Sequence, residues 1–198
     1  MEDSPKYTTR RSKGGAYASK KDKLVGAKKS QKKEEGVQKT LSKMVKYKYP
    51  WAVFVSEQSG LFVGFAAAEM LKTTRSNHLK HLDWQLQEPR GQFHGLYLEL
   101  KSDRSKLYLK DGVTYRADNR TVFKGKGNTK VAVGKEDRIQ EQRKSIWNRR
   151  DRGFAAFFAC GVDEAIAIVD WYMGLGEFTG KGDKLPRGLI LDSRSIPK

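Results

Sequence analysis

The stretch HLDWQLQEPRGQFHGLYLELK, residues 81–101, decides the architecture. Leu82, Trp84 and Leu86 alternate with Asp83 and Gln85; further on, Leu96, Leu98 and Leu100 alternate with Tyr97, Glu99 and Lys101. Successive side chains of a strand point to opposite faces, so each run reads as a half-buried strand. Glu88-Pro89-Arg90-Gly91 between them is a turn signal. Two adjacent strands paired as a hairpin is the economical arrangement.

Working outward, Val37, Leu41, Met44 and Val45 recur at helical spacing and predict a helix from Glu34 that ends before Pro50. WAVFV, 51–55, reads as a buried strand, and FVGFAAAEMLK, 62–72, as a second helix. Residues 102–138 hold ten Lys or Arg and five acids. Asp111-Gly112 and Gly127-Asn128 within them suggest one or two small hairpins. Glu136–Arg152 is a predicted helix with Ile139, Ile146 and Trp147 inward and Gly153 closing it. FAAFFAC, 154–160, reads as a buried strand and Val162–Met173 as a last helix. This order fits an α/β fold, a mixed central sheet flanked by helices with a basic hairpin insertion. The expected organisation is a basic disordered arm over 1–33, a globular domain over 34–175 containing the insertion 102–138, and a flexible tail over 176–198.

The 198 residues carry a formal charge of +17. The first 33 hold 11 Lys or Arg against 3 acids, so the globular part is basic in its own right. A polyanionic partner is the functional reading of that excess. One cysteine, Cys160, excludes a disulfide framework and Cys-rich zinc modules. The apolar runs are too short for a membrane span, and 1–9 lack the apolar core of a secretory signal. A reducing, cytoplasmic setting is expected, that of the host if the chain is phage-encoded.

Glu99 and Lys101 stand one pleat apart on the same strand face, and Asp83 lies at a comparable point on the preceding strand. If the strands pair, two carboxylates converge, and hard cations such as Mg²⁺ take carboxylate and carbonyl oxygens. A cation held this way activates water and offsets charge on a scissile phosphate. Glu34 falls inside the arc of the helix set by Val37, Leu41, Met44 and Val45, and Gln142 faces inward between Ile139 and Ile146. Glu88 is a rival to Asp83, and His94 and Cys160 read as packing residues.

The order Asp83, then Glu99-Leu100-Lys101 on the next strand, resembles the core of the PD-(D/E)xK nucleases. The words HGLYLELK and IQEQRKSIWNRRDRGFAAFFACGVDEAIAIVDWY look like the VRR-NUC family. The resemblance runs from about Glu34 to Gly174, and Leu82 stands where the family usually has Pro. It implies a restriction-endonuclease-like core and a structure-selective DNA endonuclease acting on junctions, flaps or nicks. By the same resemblance Asp83 and Glu99 are metal ligands; the ion expected is Mg²⁺, with Mn²⁺ as a substitute, and the Leu100 carbonyl is expected to join them. Lys101, Gln142 and Glu34 are its catalytic set, and Gln38 lies with Glu34 on its first helix. Lys101→Ala and Glu99→Ala are expected to abolish cleavage without unfolding the protein, as residues of a polar face. The competing reading is a non-catalytic nucleic-acid-binding protein on the same fold.

Lys124, Lys126 and Lys130 on the hairpin and Arg143, Lys144, Arg149 and Arg150 on the helix are expected to contact DNA phosphates, giving affinity without base readout. Trp and Tyr are scattered along the chain, which gives little sequence support for a single-strand platform. A homodimer is expected if the substrate is a four-way junction, because symmetric incision needs two sites on a two-fold axis. Trp51, Phe54 and Leu61 to Phe65 are the apolar candidates for its seam.

Overall fold

In the computed structural model, residues 20–57, 81–124, 131–180, 185 and 191–196 are described, with side chains from 33 onward except those of 120, 122–124, 131–133 and 135. The expected helix over 62–72 lies outside these residues. Among the described residues a four-stranded sheet runs β1-β2-β3-β6, where β1 is Phe54–Ser56, β2 Trp84–Leu86, β3 Leu96–Lys101 and β6 Ala155–Cys160. β1, β2 and β3 pair antiparallel, while β6 lies parallel to β3. The expected hairpin is therefore β2–β3, with Trp84 opposite Leu98. At its base a Cβ on Gly95 would stand 2.9 Å from the Leu86 carbonyl oxygen, so only glycine lets the strands close here.

The alternation assigns the two faces. Trp84, Leu86, Leu96, Leu98, Leu100, Phe157 and Ala159 meet Val37, Leu41 and Val45 of helix α1, Lys20–Lys48, and Ile168, Val169 and Tyr172 of helix α3, Val162–Met173. On the other face Ala156 and Phe158 meet Ile139 and Ile146 of helix α2, Arg138–Asp151. Leu41, Leu98 and Ile168 are fully buried; cutting any of them to Ala would cost about 2–5 kcal/mol. Asp137 caps α2 by accepting from the Ile139 and Gln140 amides. Gly161, at φ +88°, turns β6 directly into α3, and its amide donates to the Lys101 carbonyl.

The insertion forms a separate antiparallel ribbon, β4 (Asn119–Lys124) with β5 (Val131–Asp137), preceded by a Tyr108–Tyr115 bridge around Asp111-Gly112. The expected pairing on either side of each turn signal is thus present, with the Gly127-Asn128 turn itself outside the described residues. Among the described residues no helix is long and apolar enough to cross a membrane.

Three expectations need correction. α1 begins at Lys20, so residues 20–33 of the arm expected to be disordered are helical. The strand expected at 51–55 is shifted to Phe54–Ser56 at the sheet edge. Pairing on one side buries only one of its faces: Phe54 stacks on Trp84 at 5.3 Å, while Trp51, Val53 and Val55 are exposed. The tail expected to be flexible is packed at Leu185, Leu191 and Asp192, while 176–180 are exposed. Leu185 and Leu191 are buried, the Phe158 amide donates to the Leu191 carbonyl at 2.7 Å, and Tyr108 donates to Asp192 at 2.9 Å. The outer edge of β6 would otherwise present unpaired backbone groups.

Candidate active site

The site is built where β2 ends and β3 continues. Trp84 pairs with Leu98, which sets Asp83, one residue earlier, opposite Glu99. The Leu100 amide, beyond the last rung of the β2 ladder, donates to Asp83 Oδ2 at 2.9 Å. A strand residue's N–H and C=O point to the same edge, so the Leu100 carbonyl also lies on the Asp83 side of β3. Gln38 of α1 fixes the approach to β2, its amide nitrogen donating to the backbone carbonyls of Asp83 at 2.9 Å and Glu57 at 2.6 Å. Glu34, one helical turn earlier, is half-buried and close enough to act electrostatically on both Asp83 and Lys101.

Glu99 is 1% exposed. Its Oε1 accepts from Lys101 Nζ at 2.9 Å and from the Gln142 amide nitrogen of α2, while its Oε2 is buried with no hydrogen-bond partner. Gln142 Oε1 is likewise unpartnered. Glu99 and Lys101 are thus interior residues, which corrects the expectation that they could be truncated without consequence for folding.

Charge is concentrated here. Burial, and then the Glu99 carboxylate, push Asp83 up from an ordinary 3.8 to about 7, against the pull of Lys101 and the Leu100 amide. Burial works against the Lys101 ammonium, but Glu99 and Asp83 outweigh it and hold its pKa above the usual lysine value. Once pH passes about 7 and Asp83 ionises, the pocket holds one cation, Lys101, against two carboxylates that repel one another. A second cation fits that imbalance: Glu99 Oε2, the Asp83 carboxylate and the Leu100 carbonyl are hard oxygen donors. Among the described residues no three His, Cys, Asp or Glu side chains converge as a metal site. An ion would take two carboxylates and the backbone carbonyl, with water completing its shell.

The sequence reading missed Tyr97, although the alternation that selects Glu99 and Lys101 also places it on their face. The Arg149 guanidinium lies 4.6 Å over its ring and bonds Ser145. Arg143 lies over Tyr115 and Trp147 at 4.2 and 4.8 Å, and Lys144 is exposed. Arg150 is corrected: at 1% exposure it is an interior residue that donates to the Ala156 carbonyl at 2.8 Å and to Ser195, satisfying the edge of β6. The Lys124 side chain, Lys126 and Lys130 lie outside the described residues, as do Leu61 to Phe65. Glu88, the rival to Asp83, accepts from the Val53 amide and sits beyond the other end of β2. His94 packs on Phe154 and Phe178.

No protein-family model matches the chain, and no curated protein matches it. A solved structure described as a VRR_NUC domain protein has 20% sequence identity and a TM-score of 0.45, over 76% of this chain and 96% of its own.

Proposed function

We propose that this chain is a metal-dependent nuclease that hydrolyses phosphodiester bonds in DNA. The observation that carries the reading is the Asp83–Glu99–Lys101–Gln142 constellation, buried at all but the half-buried Asp83, in which one Glu99 oxygen has no partner. An ion pair kept only for stability would have little reason to leave a carboxylate oxygen buried and unpaired.

Asp83, Glu99 and the Leu100 carbonyl would hold Mg²⁺, which supplies a Lewis acid for the phosphate and an acidified water. Lys101 stays cationic and points its donors at Glu99. From there it orients the attacking water and offsets charge gathering on the phosphoryl oxygens. The water oxygen forms the new bond to phosphorus as one bridging P–O bond breaks, and the departing oxygen ends protonated. Gln142 holds Glu99 in place and has a second polar atom, Oε1, to offer the water. Gln38 positions Asp83 through its backbone. Arg149 on Tyr97, with Arg143 and Lys144, supports a phosphate-binding surface along α2 beside this pocket.

Structure-selective cutting is part of the proposal, with junctions, flaps and nicks as the substrates to compare. The test is a panel of branched and linear DNAs incubated with Mg²⁺, with Mn²⁺ and with EDTA, beside a Mn²⁺ titration. Metal-dependent incision lost in Lys101→Ala supports the reading. DNA affinity without incision or a saturable metal site would instead identify a non-catalytic binding protein.

A further inference from the structure

The two most exposed aromatic rings of the described residues lie four positions apart in the chain, with Phe178, 40% exposed, packed against His94 elsewhere. Tyr47 is 85% and Trp51 62% exposed, where α1 ends and the chain turns toward β1. The local sequence is Lys46-Tyr47-Lys48-Tyr49-Pro50-Trp51, aromatic and cationic residues in alternation. Tyr49 is half-buried and meets the Trp51 ring edge to face at 6.0 Å, which holds the indole outward. Lys39, Lys43 and Lys46 are exposed and run up the solvent face of α1 to Tyr47, at i, i+4, i+7 and i+8. None of these three lysines has an acidic partner among the described residues; Lys48 is held by Asp170 at 2.6 Å.

We infer that this surface is a binding platform for an unpaired DNA strand, with bases stacking on Trp51 and Tyr47 and the backbone tracking Lys39, Lys43 and Lys46. The inference rests on the nuclease reading and deepens it by naming the substrate class: DNA with a single-stranded segment beside the incision. The chemistry favours this occupant over a protein. Lysines are depleted at protein interfaces, whereas a cationic track flanked by open aromatic faces is what single strands use. Position agrees as well. Gln38, which holds Asp83, is nine residues before Tyr47 on the same helix, about 13 Å along its axis. A stacked strand rising about 3.4 Å per nucleotide covers that span in about four nucleotides. This corrects the reading of the aromatics as scattered: residues 46–51 interleave them with lysines, and the exposure of both rings separates a platform from core aromatics.

The test is binding of the full chain, in EDTA, to fluorescein-labelled duplexes that are blunt or carry a ten-nucleotide single-stranded overhang. Trp51→Ala and Tyr47→Ala should each weaken overhang binding by about tenfold, the effect of losing one base stack. Trp51→Phe and Tyr47→Phe should retain it, and blunt-duplex affinity should be unchanged in all four. Equal losses on both DNAs, or none, would overturn the platform. So would loss of self-association in Trp51→Ala on sedimentation, which would assign the patch to a second copy of the chain. Because no metal is present, overhang binding can hold while the cleavage panel fails, or fail while incision of blunt substrates persists, and the two readings are judged separately.

Discussion

Asp83→Asn should make the metal-free protein more stable above neutral pH while removing its metal site. The Asp83 carboxyl is raised from 3.8 to about 7 by burial and by Glu99. Between those values the folded chain holds a proton that the unfolded chain has released. The stabilising effect of the neutral acid is complete below about pH 4 and is lost as pH rises through about 7. A rise of about three on the pH scale, at ~1.4 kcal/mol each, amounts to about 4 kcal/mol; contact with water at this half-buried residue brings the working range to about 2–4 kcal/mol. Asparagine does not titrate, and its Oδ1 can accept from the Leu100 amide as the carboxylate does. Urea unfolding in EDTA, followed by tryptophan fluorescence, should place Asp83→Asn above the wild type by that amount at pH 8, with the gap closing toward pH 4.5. Excess Mg²⁺ should then raise the wild type alone, since a ligand that binds only the folded state stabilises it. The reasoning is refuted if Asp83→Asn is no more stable than the wild type at pH 8, or if the gap is the same at every pH.

Other consequences can be checked alongside. Lys101→Ala should abolish incision and lower metal-free stability by about 3–5 kcal/mol, because Glu99 loses its buried counter-charge; equilibrium unfolding and a cleavage assay read the two effects. Mn²⁺ affinity in the wild type should climb as pH passes through about 7, where the Asp83 proton stops competing, and calorimetry in two buffers should show proton release. Arg150→Met should destabilise by about 1–3 kcal/mol by leaving the Ala156 carbonyl unpaired, while DNA affinity at fixed salt stays within twofold. Asp192→Ala should lower the melting temperature without altering metal affinity, since it takes the carboxylate from Tyr108 and Arg194 and has no contact with Glu99.

The parts legible in the sequence are those where a period carries the information. The alternation over 82–86 and 96–101 places Glu99 and Lys101 on one face, and the helical arc places Glu34 and Gln142 toward the sheet; the structure brings these residues together with Asp83. Tyr97 shared that period and was passed over as an aromatic among charged neighbours; the rest of what escaped had no periodic signature. Residues 20–33 have few apolar positions, so their charge outweighed the helix propensity of Lys and Ala. Arg150 looks like any arginine of a basic helix, because its burial is set by the far side of β6. The C-terminal segment hid two buried leucines among Gly, Lys and Pro, and only the open strand edge explains why Leu191 is held there.

The ribbon of β4 and β5 interrupts the chain between Lys101 and Gln142, two residues that meet on Glu99. β3 and β6 are locked in register on either side of this excursion, and the ribbon closes its own hydrogen bonds. Lengthening such a loop adds little entropy cost, about 0.6 kcal/mol for each doubling, whereas bringing β3 and β6 together across it is slow because the contact is distant in sequence. The ribbon is therefore a place where the molecule can be rebuilt: its length and charge can be exchanged by grafting, with folding speed responding sooner than stability and the constellation around Glu99 left where it is.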